Sequence, residues 1–236
     1  MQAPRMRVGV FGDDDSDPLP DLLRSVGHEV IHMTDENAPD ATEPDMLVIA
    51  AHEETSRSHV ETVAGGVRRG QIILHTSLAH GVQILDDAET AGGVVIAAGQ
   101  LSPTRWAVTT ADELGHTIAE LLFGELGASI ITVTDQQRLQ LAAAITYANA
   151  LAFLRRDAVK LLDGVLDNVE ESHDIVDRAS LFTRFPDVAG SGGLQAQWRS
   201  IQDPGQARAF RQTVRRAAEL TTVDDVELWA IQEDKP

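Results

Sequence analysis

The chain has 236 residues, no cysteine, and a net charge of −18 from 19 basic and 37 acidic side chains. That length suits one large domain or two small ones with an unassisted core, and the missing cysteines exclude a disulfide framework, a thiolate-held metal and a thiol nucleophile. The acidic balance excludes a general polyanion or anionic-lipid surface, since both need clustered Lys and Arg. No apolar run is long enough to span a bilayer, and Met1–Arg7 lacks the apolar stretch of a signal peptide. We therefore expect a folded cytoplasmic protein with no nucleic-acid and no membrane partner.

Short Val/Ile-rich runs at Met6–Phe11, Glu29–Met33, Met46–Ala51, Gln71–His75, Val94–Ala98 and Ser129–Val133 read as buried parallel strands. Helical segments alternate with them at Leu19–Val26, Thr55–Val67, Gly81–Ala91 and Asp112–Leu126. This rhythm predicts an α/β fold, a Rossmann-like mostly parallel sheet over residues 1–134. From residue 135 onward no strand is evident, which predicts an all-helical C-terminal domain over 135–236. Thr134, with Gln137 three residues on, has the spacing of a capping box. The stretch after it, residues 135–166, reads as one long helix of about 45 Å. Its alanines at 142, 143, 144, 148 and 150 permit close helix approach, so we expect a homodimer through this helix. Ala189–Gly193 is rich in Gly and Ser and reads as a loop. Asp203-Pro204 reads as an N-cap with Pro at the first helical position, starting a helix to about Glu219.

Arg7–Gly12 resembles the first strand of a dinucleotide-binding fold, with Gly9 and Gly12 as its glycines. The following turn should read G-x-G-x-x-G, but the second and third positions are Asp14 and Asp17, within Gly12-Asp13-Asp14-Asp15-Ser16-Asp17-Pro18. A helix N-terminus offers about half a positive charge, which four carboxylates outweigh, so the fold signal survives and the phosphate signal does not. Asp35 follows the second strand. Two readings stand for it: a ribose ligand that favours NAD over a 2′-phosphorylated cofactor, or a solvated acidic loop with Glu36 and Asp40.

These residues, with the strand ending in His75-Thr76-Ser77, Leu126-Gly127-Ala128 before Ile130–Thr134, and the helix containing Tyr147-Ala148-Asn149-Ala150-Leu151, resemble the 6-phosphogluconate dehydrogenase-like superfamily. Within it the likeness is to uncharacterised Rossmann-like proteins allied to pyrroline-5-carboxylate reductase. The resemblance implies a nicotinamide-dependent dehydrogenase or reductase acting on a small molecule, with an active site between a Rossmann-like and a helical domain. It also implies NAD as cofactor, with Gly9, Gly12, Asp35 and Thr76 as binding residues and Asn149 and Ser77 as catalytic ones. Two departures count against it. The glycine motif keeps only Gly12, and the turn before Asn149 reads Ala144-Ile145-Thr146, where many relatives carry a Lys acid/base.

Ligands of open α/β sheets bind beyond the carboxyl ends of the strands, which brings His52, His75, Thr76, Ser77, Gln100 and Ser102 to the expected cleft. Thr76 and Ser77 read either as donors to a carboxylate or phosphate, or as hydroxyls capping a strand-end turn. Asn149 reads either as a carbonyl-orienting amide or as a residue of a helix seam. The histidines lack a compact ligand spacing, so no metal site is expected. Arg208, Arg211, Arg215 and Arg216 form a helical stripe expected to pair with acids. The alternative function is a non-catalytic dimeric binding or regulatory protein that keeps the fold without a cofactor.

Overall fold

A computed structural model describes residues 5–34, 41, 43–178, 190–221 and 224–232. The chain forms two compact units, Met1–Tyr147 and Ala148–Pro236. The first holds a seven-stranded sheet in the order β2-β1-β3-β4-β5-β6-β7. Its strands are β1 (Arg7–Phe11), β2 (Glu29–His32), β3 (Met46–Ile49), β4 (Ile72–His75), β5 (Val94–Ser102), β6 (Arg105–Thr110) and β7 (Ser129–Thr132). All pairs are parallel except β5 with β6.

The central strands β1, β3 and β4 read as continuous apolar runs because both sheet faces are covered there. Alternate residues go to opposite sides. Val8, Val10, Met46 and Val48 meet Leu19 and Leu23 of α1 (Leu19–Ser25) and Ala119, Leu122 and Phe123 of α4 (Glu113–Glu125). Phe11, Leu47, Ile49 and Ile73 meet Val60 and Val63 of α2 (Ser56–Ala64) and Ala88 of α3 (Asp86–Thr90). α4 starts where it does because the Asp112 carboxylate accepts the Gly115 N–H at 2.8 Å.

The sheet has one strand more than the sequence runs predict. β6, Arg-Trp-Ala-Val-Thr-Thr, turns back after Pro103-Thr104 and pairs antiparallel with β5, Ser102 opposite Arg105. Trp106 is 1% exposed and packs on Phe123 with ring centroids 4.9 Å apart, which fixes this strand to the α4 face.

α5 (Asp135–Leu166) has 32 residues, about 48 Å, and the boundary between the units falls within it. Its start shows half of the expected box: Gln137 Oε1 accepts the Thr134 N–H at 2.9 Å, while the Thr134 hydroxyl donates to the same oxygen. In the second unit follow α6 (Val169–Arg178), α7 (Gly190–Ser200), α8 (Pro204–Thr221) and α9 (Asp224–Gln232). α7 corrects the sequence reading. Residues 190–193 form its first turn rather than a loop, because Leu194 and Trp198 packing against α9 outweighs poor glycine propensity; Ala189 lies outside the described residues. Asp203 caps α8 as expected, accepting the Gln206 N–H at 2.7 Å. The core of α7–α9 is Leu194, Val214, Ala218, Val226, Trp229 and Ala230. Of the arginine stripe, Arg215 and Arg216 pair with Glu219, and Arg211 lies over the Trp198 ring at 5.6 Å. No described helix is long and apolar enough to cross a membrane.

Candidate functional site

The order β2-β1-β3 places a topological switch point between β1 and β3, where open α/β sheets bind ligands. The two chain ends there touch. Gly12 has φ +144°, and a Cβ on it would lie 1.9 Å from the Ala50 carbonyl oxygen, so only glycine fits. Gly9 sits within β1, where a Cβ would meet Met33 Sδ at 2.6 Å and Pro44 Cγ at 2.8 Å.

The acidic turn after Gly12 uses its own donors. The Asp14 N–H donates to Ala50 O at 3.1 Å, and the Asp17 N–H to Asp14 O at 3.2 Å. The Asp14 carboxylate accepts the Ser16 N–H and hydroxyl at 3.0 and 2.6 Å. Asp17 Oδ1 accepts the Leu19 N–H at 2.8 Å, at the start of α1. Asp13 crosses the switch point: Oδ1 accepts the His52 N–H at 3.0 Å, and both oxygens accept the Thr55 hydroxyl at 2.9 Å. The His52 N–H, aided by Thr55, holds the Asp13 carboxyl below its ordinary range. Burial pushes Asp17 the other way, up, against the Thr76 hydroxyl and Leu19 N–H that lower it. A pyrophosphate needs such N–H groups free at the helix start. As it stands, the turn does not fit one.

Beside the turn lies a pocket of about 330 Å³. Of the residues expected at the cleft, His52, Thr76, Ser77 and Gln100 line it, together with Asp14, Asp17, Glu53 and Trp106. His75 and Ser102 do not. His75 is fully buried, its Nε2 3.0 Å from Gly81 O, and burial pushes its imidazole down to about 3. Thr76 is tied to the neighbouring strand through its N–H, 3.2 Å from Ile49 O.

Ser77 is 4% exposed and sits in a network the sequence does not reveal. Its hydroxyl donates to Glu53 Oε2 at 2.5 Å and accepts the His80 N–H at 3.0 Å. Glu53 Oε1 accepts the N–H groups of Leu78 and Ala79 at 2.9 and 3.1 Å. His80 Nδ1 lies 3.1 Å from Glu53 Oε2 and 2.9 Å from Ser77 Oγ. A carboxylate on Nδ1 assigns the proton to that nitrogen and leaves Nε2 as the basic one, the arrangement of a general acid/base.

Behind this turn stands Arg138, fully buried on the first turn of α5. Its Nε donates to Thr109 Oγ1 at 2.8 Å, and its terminal nitrogens donate to the carbonyls of Ser77, Leu78, Ala97 and Ala107 at 2.5 to 3.4 Å. Burial lowers its guanidinium to about 10, so it remains a cation at neutral pH. One turn earlier, Asp135 Oδ1 accepts the Val82 N–H at 3.1 Å, an approach that a Cβ on Gly81 would block at 2.0 Å.

Asn149 belongs to the second unit, on an exposed part of α5, and Ser77 to the first. Asp35 lies outside the described residues. In the second unit a cavity of about 710 Å³ runs between α5 and α6, walled by Phe153, Lys160, Asp163 and His173 among others. Among the described residues, no three His, Asp or Glu side chains are placed to hold a metal ion.

The sheet order and the pocket define a Rossmann-like protein with a helical C-terminal region. Residues 134–233 match the model of the 6-phosphogluconate dehydrogenase C-terminal domain-like family. No curated protein sequence matches the chain. Similar solved structures include a Bacteroides fragilis protein whose assigned function, NADP oxidoreductase, is provisional (TM-score 0.65, 13% identity, 91% of this chain and 98% of that one). They also include the Plasmodium falciparum pyrroline carboxylate reductase with NADP bound (0.53, 13%, 96% and 96%) and the Coxiella burnetii pyrroline-5-carboxylate reductase (0.57, 12%, 97% and 97%). At these identities the likeness is one of fold.

Proposed function

We propose that the chain is an oxidoreductase of the 6-phosphogluconate dehydrogenase-like superfamily, nominally nicotinamide-dependent, acting on a small molecule. The observation that carries this reading is architectural: reductase structures accompany both the sheet and the helices over nearly the whole chain, and the family model matches the helical part. In this reading Ser77, held by Glu53 and His80, serves the pocket chemistry, and Asn149 serves substrate binding from α5. A dinucleotide at Gly12 requires the Asp13 and Asp14 hydrogen bonds to open.

One observation favours a second reading, a dimeric binding protein without cofactor: the turn consumes its own N–H donors. Calorimetric titration with NAD(H) and NADP(H), on the natural chain and on the Asp14→Gly/Asp17→Gly variant, separates the two. Binding by the natural chain supports the oxidoreductase. Binding by the glycine variant alone supports the second reading. Both readings include a homodimer through α5, supported by the apolar side chains it leaves exposed: Phe153 is 64% and Val165 78% exposed.

A further inference from the structure

We propose that the Ser77–His80 turn is a binding site for a small monocarboxylate, filled in this structure by the protein's own Glu53. The inference goes beyond the oxidoreductase reading and does not depend on whether a nicotinamide binds.

The argument starts from two peptide groups. One joins Ser77 to Leu78, the other Leu78 to Ala79. Each directs its carbonyl at Arg138, at 3.1 and 3.4 Å. Each directs its N–H at Glu53 Oε1, at 2.9 and 3.1 Å. A buried cation thus holds the oxygen ends, and the hydrogen ends converge on an anion. Arg138 is fully buried and holds Thr109, Ala97 and Ala107 as well, so the peptides are oriented independently of Glu53. Donors set in advance of their ligand bind it without an ordering cost. The Ser77 hydroxyl completes the receptor at Oε2 with a 2.5 Å bond, and His80 Nδ1 lies 3.1 Å from the same oxygen. Charge-assisted bonds of this kind are about twice as strong as neutral ones.

Glu53 is a tethered occupant of that receptor. It comes from the loop between β3 and α2, its side chain is 46% exposed, and its carboxylate bonds all come from the turn. A tethered carboxylate competes with any free one for the same donors, so removing it lowers the concentration at which a free carboxylate binds. The surroundings set the ligand class. Asp14 and Asp17 line the same pocket, and like charges in a confined site repel a dianion about twice as strongly as a monoanion. The volume of about 330 Å³, with Trp106 and Leu78 in its walls, limits the remainder of the ligand to a small, partly apolar group.

The test uses the full chain and its Glu53→Ala variant with sodium acetate, sodium chloride or sodium sulfate at matched ionic strength and neutral pH. Thermal unfolding and the amide resonances of Leu78 and Ala79 are followed. Acetate is expected to stabilise Glu53→Ala saturably and to return both amides towards their natural positions, with a much smaller effect on the natural chain. Adding Ser77→Ala is expected to weaken acetate roughly tenfold, the loss of one charge-assisted bond. Acetate acting no better than chloride, or moving amides elsewhere, overturns the proposal; sulfate acting as well as acetate overturns its monocarboxylate character. If Glu53→Ala does not fold, Glu53→Gln takes its place. Acetate must then shift Leu78 and Ala79 at lower concentration than in the natural chain, and failure to do so overturns the proposal.

Discussion

Arg138 is held by carbonyls and a hydroxyl, and among the described residues no carboxylate is in ion-pair contact with it. Its planar fork reaches acceptors on β4's exit turn, β5 and β6 together, which a lysine ammonium cannot do. Arg138→Met is expected to destabilise the chain by about 3–5 kcal/mol, because buried carbonyls lose their donors. Arg138→Lys should cost at least about 2 kcal/mol. Urea unfolding checks both, and a lysine variant as stable as the natural chain refutes the account. His75 makes the complementary case. It stays neutral in the fold down to about 3, against an ordinary value of 6.5. Between those values the unfolded chain binds more protons, so stability falls as pH falls, by up to about 1.4 kcal/mol per pH unit. His75→Gln keeps a donor for Gly81 O and removes the titration. Its unfolding free energy should decline less steeply than that of the natural chain from about pH 6.5 to about pH 4, and parallel profiles would exclude His75 as the source.

At the scale of elements, the sequence made the parallel centre of the sheet and both edge strands, β2 and β7, legible and left β6, between β5 and β7, hidden. β1, β3 and β4 are buried on both faces, so their composition alone distinguishes them. β6 carries one tryptophan and two threonines and depends on pairing with β5, a tertiary fact; the Pro103-Thr104 reversal between β-forming residues was its available signal. Gly190–Gly193 misled for the opposite reason, since packing further along α7 decides its state. The candidate site divides in the same way. Thr76 and Ser77 are readable from position, at the end of a buried strand. Glu53 lies in the polar run His52-Glu53-Glu54 and His80 in the loop after β4, neither with a pattern that links it to Ser77, and Arg138 looks like any helical surface arginine. Their partners lie up to 61 residues away in the chain, a separation over which local pattern carries no information.

For the whole molecule, the exposed apolar side chains of the α5–α6 pair set the next expectation. Leu151, Phe153, Leu161, Val165, Val169 and Ile175 are each at least 40% exposed, apolar side chains that burial against a second copy would take out of water. Light scattering should give twice the 25.5 kDa chain mass at micromolar concentration, and Phe153→Glu/Val165→Glu should halve it. A monomeric natural chain would contradict the dimer.

The same helix bears on how the protein can be cut. Asp135 and Arg138 sit just past the last strand, yet their bonds end on the Val82 N–H and on carbonyls of the sheet. A fragment stopped at residue 134 would keep every strand and lose the side chains that close them. One stopped at residue 147 would carry both. Expressed separately, the longer piece should give a well-dispersed amide spectrum and resist protease, and the shorter one should be digested rapidly.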